Sequence, residues 1–166
     1  MTQSDVNYCK DKGTVIVINN TYKLAPWADI LWGCDQIWWK LTPDAMNFKG
    51  QKHSLEYKKV ITHQSKYGDG LGLDLIHCGG NAGYQCINYA YLQGAKEIVL
   101  LGFDMHGEHW HGKHKTGLSN IHDFKKWIEN FKQLAIDLKE RNIKVINCTP
   151  KTKLKWFDQK PLRQTI

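Results

Sequence analysis

Apolar and polar positions along the chain change period repeatedly, and the changes predict alternating strands and helices. Residues 14–19 (TVIVIN) form a continuous apolar run rich in β-branched side chains, which predicts a strand buried on both faces. Residues 28–34 predict a second strand ending at Asp35, and residues 36–41 (QIWWKL) a short helix. From Pro43 to about Tyr57 the pattern is polar with little structural signal. Residues 58–62 (KKVIT) then read as a third short strand, followed by His63, Gln64 and Ser65. Gly68, Asp69, Gly70, Leu71 and Gly72 predict a flexible loop. A helix is expected over 81–93 with Gly94 at its C-cap, and the clearest strand over 97–103. Over 121–141, Phe124, Trp127, Ile128, Phe131, Leu134, Ala135 and Leu138 recur at helical spacing, one apolar stripe on a long amphipathic helix. Residues 144–147 (KVIN) close the pattern as a strand. The alternation predicts a mainly parallel α/β sheet in one domain spanning 1–166.

Charge and composition narrow the partner. The chain has 166 residues, a net charge of +7 and an isoelectric point near 9.1, which favours an anionic ligand or surface. Cys9, Cys34, Cys78, Cys86 and Cys148 are odd in number and never spaced Cys-x-x-Cys, the pattern of reduced thiols in a cytoplasmic protein. No apolar run approaches the ~18 residues needed to span a bilayer, and no charged-then-apolar leader opens the chain, so no membrane partner is expected. The lysines at 151, 153, 155 and 160 read as a solvated face; no nucleic-acid-binding motif accompanies them, and nucleic acid is not the expected partner. Trp38 and Trp39 are adjacent on the short helix. One of them is therefore expected at the surface, where it would suit a ligand or a homo-oligomer contact.

The candidate chemistry gathers between Gly79 and His114. A glycine-rich turn (Gly79, Gly80, Asn81, Ala82, Gly83) enters a helix whose first N–H groups suit an anion. The strand after that helix ends at Asp104, and a loop with His106, His109, His111 and His114 follows. Ligands of open α/β sheets bind along the carboxyl edge, so the two elements are expected to converge on one cleft. The histidine spacing admits a zinc site or a plain polar loop. The favoured reading has one or two histidines meeting a phosphate or acting as general acid or base, with Lys113 and Lys115 beside them. No metal ligand is assigned, and a divalent metal stays an open alternative. The glycine turn lacks the G-x-G-x-x-G spacing of a dinucleotide site. After the first strand, Asn19, Asn20 and Thr21 offer hydrogen bonds to a base or ribose, or an Asx-type turn, and Tyr22 or Tyr84 offers a ring to stack on. Asp35, Gly83, Tyr84, Trp110 and His114 complete the candidate ligand-binding set.

Several of these blocks together resemble a group of small phage-encoded α/β proteins, most of them uncharacterised. The blocks are Asn20 to Asp29 (NTYKLAPWAD), Cys34-Asp35 with Trp38-Trp39, the turn from Gly79 to Gln85, Leu101 to Met105 (LGFDM), and His109 to Gly112 (HWHG). Their order covers roughly residues 13 to 157. More distantly, the glycine turn, helix, strand and aspartate resemble the Rossmann-like domain of archaeal 6-hydroxymethylpterin pyrophosphokinase-like proteins and of small bacterial CMP-sialic-acid sialyltransferases. The resemblance implies a Rossmann-like three-layer sandwich, a nucleotide-holding role for Asn20 and, for an enzyme, a catalytic base at His109 or His111. Both of these, and longer members of the phage group, open with a strand and a Gly-x-Gly-Pro-Ser or Gly-Pro-Ser loop that the sequence does not contain: either its start is truncated or the protein has dispensed with them, and a cleft without that loop is expected to suit binding better than turnover. The expected function is binding of a phosphorylated nucleotide-type molecule, with sequestration of a host nucleotide signal or metabolite as its purpose. The alternatives are a transferase using a nucleotide or nucleotide-sugar donor, and a protein or nucleic-acid interaction module. No cofactor is assigned beyond such a ligand.

Overall fold

A computed structural model describes residues 1–107, 112, 117–118 and 123–166. It is a mixed α/β chain whose strands pair in parallel throughout the described residues. Its contacts divide into two compact units, residues 2–64 with 108–121, and Met1 with 65–107 and 122–166. No helix among the described residues is long and apolar enough to cross a membrane. All five cysteines are unbridged.

The first unit opens with α1 (Gln3–Tyr8), started by a reciprocal cap in which the Thr2 hydroxyl accepts from the Asp5 N–H and the Asp5 carboxylate accepts from the Thr2 N–H. Four parallel strands follow in spatial order β1 (Ile16–Ile18), β2 (Ile30–Trp32), β3 (Gln51–Ser54) and β4 (Ile61–Thr62). Ile18, Trp32, His53 and Ile61 stand in one row across them. The two-faced burial expected of the first run falls instead on β2, where all three residues are buried; in β1 only Val17 is. The central strand is covered on both sides, and β1 is the edge. β3 arises in the stretch that had no apolar pattern, because Gln51, Lys52, His53 and Ser54 alternate only weakly and pair by backbone.

The helix α2 (Gln36–Leu41) forms where expected, but both tryptophans on it are buried at 1% exposure, so neither offers the surface expected of one of them. Adjacent helical residues point about 100° apart, and this six-residue helix is covered from both directions. Trp38 packs edge-on against Tyr22 and donates Nε1–H to Asn20 Oδ1 at 3.2 Å. Trp39 stacks on Tyr57 with 9° between planes and donates to the Gly33 carbonyl at 2.8 Å. Gly33 makes room: a Cβ there would lie 2.7 Å from both indoles.

The second unit holds β5 (Ser65–Lys66) paired with β6 (Ile76–His77), and a three-stranded sheet of β7 (Glu97–Leu100), β8 (Lys144–Asn147) and β9 (Asp158–Gln159). The helices α3 (Ala82–Leu92) and α4 (Phe124–Glu140) belong to it. The predicted stripe of α4 forms the core: Phe131, Leu134 and Leu138 are buried among Tyr84, Ile87, Leu100, Val145, Leu154 and Phe157, with the other four stripe residues against the cluster. The Gly68–Gly72 segment is a loop, but a pinned one. The buried amide of Asn88 holds Gly72 by both its N–H and its carbonyl, Asp137 accepts from the Leu71 N–H at 2.7 Å, and the Tyr84 hydroxyl donates to the Gly70 carbonyl at 2.5 Å.

Candidate functional site

In the first unit the carboxyl ends of β1, β2 and β3 carry Asn19, Gly33 and Ser54, and His63 follows β4. Asn19 leaves β1 in the left-handed backbone region at φ +47° and opens a short 3-10 turn, Asn19–Lys23. Among non-glycine residues Asn tolerates that region best. Its Oδ1 is buried, and among the described residues it has no hydrogen-bond partner. Buried polar atoms are nearly always satisfied, so an orphan at the carboxyl end of a strand marks a place where a donor is missing.

The neighbouring candidates divide between structure and surface. Asn20 Oδ1 is taken by the Trp38 indole. The Thr21 carbonyl closes the turn by accepting from Leu24 and Ala25. Tyr22 is buried, with its hydroxyl bonded to the Asp44 carboxylate and its ring edge-on to Trp38 and Phe48. Burial first, then the hydrogen bond and charge of Asp44, push its hydroxyl well above the usual tyrosine range. That ring is core material rather than a stacking surface. Asp35 is exposed at the N-cap position of α2.

A pair absent from the sequence candidates stands on the same sheet. His53 Nδ1 lies 2.8 Å from His63 Nε2, and His53 Nε2 lies 3.0 Å from Gln51 Oε1. The ring centres are 5.0 Å apart and the planes 23° from parallel, so the nitrogens meet end to end. The Trp32 indole packs on both rings, at 5.4 Å from His63 and 6.0 Å from His53. Burial and the neighbouring imidazole lower the pKa of His53 to about 4, and burial lowers that of His63. Two histidines ten positions apart, one in the stretch without an apolar pattern and one just after the third predicted strand, gave no sequence signal of a pair; the strand register brings them together.

In the second unit the glycine turn is built as a tight turn into α3. The Asn81 N–H donates to the Cys78 carbonyl, with Gly79 at φ +53° and Gly80 at φ +71°. A Cβ on Gly79 would meet the Tyr84 ring at 2.4 Å. Asn81 Oδ1 caps the helix by accepting from the N–H groups of Gly83 and Tyr84 at 2.8 and 3.2 Å. Two of the first-turn donors that an anion would use are therefore occupied. Gly83 lets Phe103 approach, since a Cβ there would lie 2.6 Å from that ring. Tyr84 is fully buried, so it too is core rather than a stacking surface.

The segment after β7 is locked by buried polar side chains at and just after the end of β8. The Thr149 hydroxyl accepts from the Phe103 N–H at 2.9 Å, and the Thr152 hydroxyl donates to the Phe103 carbonyl at 2.5 Å. Asn147 ties both threonines together. Asp104 is half-buried, its carbonyl accepting from the Lys153 N–H, and His106 Nε2 lies 2.8 Å from the Lys151 carbonyl. His109, Trp110, His111, Lys113 and His114 lie outside the described residues. Among those described, no group of three or more His, Cys, Asp or Glu is arranged to hold a metal ion. An open depression lined by Thr14, Trp27, Asp29 and Lys49 lies at the opposite, amino end of the β1–β3 strands. Comparison with protein-family models, with curated proteins and with solved structures found no match.

Proposed function

We propose that the chain binds a phosphorylated nucleotide-type small molecule at the carboxyl edge of its parallel strands and holds it without consuming it. The observation that supports this reading most is Asn19, a strained residue with a buried amide oxygen awaiting a donor at the end of β1. Strain and an unsatisfied polar atom at one residue persist where function selects them. The parallel pairing supports a Rossmann-like reading of the fold, and the net charge of +7 suits an anionic ligand. In this reading a phage protein withholds a host nucleotide signal or metabolite. The transferase reading requires turnover. Incubation with nucleotides, nucleotide-sugars and cyclic dinucleotides, followed by chromatography, should return every compound intact. Catalytic conversion of any of them, abolished by His111→Ala, would overturn the sequestration reading in favour of the transferase.

A further inference from the structure

Hydrogen-bond polarity at the carboxyl edge of the β1–β4 sheet restricts which part of a ligand it suits. Asn19 presents a buried acceptor. The Gly33 N–H is spent on the His53 carbonyl. Ser54 Oγ is also committed, donating to the Cys34 carbonyl and accepting from the Glu56 and Tyr57 N–H groups.

The histidine pair adds no charge. With the Gln51 carboxamide oxygen accepting, His53 Nε2 carries its hydrogen, so Nδ1 must accept from the Nε2–H of His63. Burial disfavours a further proton on either ring, so both imidazoles are neutral. The Trp32 indole and the Gln51 amide, neither of them ionisable, pack on the pair.

Lys23, at the end of the 3-10 turn, sits 3.8 Å from the Asp44 carboxylate and over the Tyr22 ring. The Gln36 N–H that opens α2 points to the Glu56 carboxylate at 3.5 Å. Phosphate recognition needs cationic side chains or convergent N–H donors, and a buried carboxamide oxygen is neither.

We infer that this edge receives the uncharged, donor-bearing part of the ligand, a base amine or sugar hydroxyl, and not its phosphate. The inference rests on the nucleotide reading above and assigns its recognition polarity. It is tested on the isotope-labelled full chain with adenosine, guanosine, cytidine, uridine, their 5′-monophosphates and inorganic phosphate as probes. At least one nucleoside should shift the Asn19 side-chain amide, while inorganic phosphate leaves that amide and the His53 and His63 rings unmoved between pH 6 and 8. In Asn19→Gly, which keeps the left-handed backbone, affinity for that nucleoside should fall about tenfold, equivalent to about 1.4 kcal/mol. Asn19→Asp, which keeps an acceptor, should restore it. Shifts caused by phosphate alone, or monophosphate binding that Asn19→Gly leaves intact, would overturn the inference while sparing the nucleotide reading. Failure of every nucleoside and nucleotide to bind would overturn both.

Discussion

His53 and His63 meet nitrogen to nitrogen at 2.8 Å under the Trp32 indole, in a place where neither imidazole readily takes up a proton. The arrangement has a consequence for stability. Unfolding frees both histidines to titrate near 6.5, while in the folded chain His53 titrates at about 4 and His63 below its ordinary value. The depressed values leave stability fully present above about pH 6.5. It is lost as the pH falls through that value toward 4, because the unfolded state binds protons first. Urea denaturation should show a loss on the order of 2–3 kcal/mol across that range. His53→Gln should flatten the curve, and a wild-type curve already flat between pH 6.5 and 4.5 would contradict the buried neutral pair.

The glycine turn offers a paired test of its structural role. Gly79 and Gly80 share the left-handed conformation, but an added methyl at 79 meets the Tyr84 ring at 2.4 Å and at 80 meets nothing closer than 3.6 Å. Gly80→Ala should cost about 1–2 kcal/mol from backbone strain alone. Gly79→Ala should cost clearly more. Thermal denaturation of the two variants side by side checks the order.

Much of the fold was legible in the sequence wherever burial imposed a period. The α4 stripe, the Asn81 start of α3 and β8 follow from spacing and capping, since a helix must bury one face and satisfy its first N–H groups. β3 was not legible, because its pairing is made by backbone and its side chains carry no alternation. The pinned Gly68–Gly72 loop was missed for a related reason. Asn88 and Asp137, which hold it, reach it from helices distant in sequence. Of the candidate site, Asn19 was legible as a polar residue at a strand end, and the orphaned oxygen that distinguishes it was not. Tyr22 and Tyr84 looked like stacking platforms because composition cannot tell a ring on a cleft from a ring in a core.

The polar lock behind β7 should behave as a unit. Thr152 is 2% exposed and serves the Phe103 carbonyl, the Leu154 N–H and the Asn147 amide. Thr152→Val deprives the Phe103 carbonyl and the Leu154 N–H of this partner and leaves the Asn147 amide only its 3.4 Å bond to the Leu154 carbonyl, at a cost of about 2–4 kcal/mol. Thr152→Ser keeps the hydroxyl and should recover most of it. Chemical denaturation of both variants reads the difference.

Asn19 should show the opposite sign. Replacing it with glycine removes an unsatisfied buried atom and relieves a left-handed side chain, so the Asn19→Gly variant should be no less stable than wild type, within about 1 kcal/mol. A residue that weakens binding when removed without weakening the fold is held for function. A midpoint well below wild type in the same urea titration would mean that Asn19 supports the fold instead.

What the purified protein carries tests nucleotide holding most directly. Native protein is denatured, and the released small molecules are identified and quantified by mass spectrometry, with Asn19→Gly treated in parallel. A phosphorylated nucleoside compound should be released intact, near one per chain from wild type and much less from the variant. A wild-type chain that carries no such compound and binds none of the nucleotides offered to it would rule out nucleotide holding.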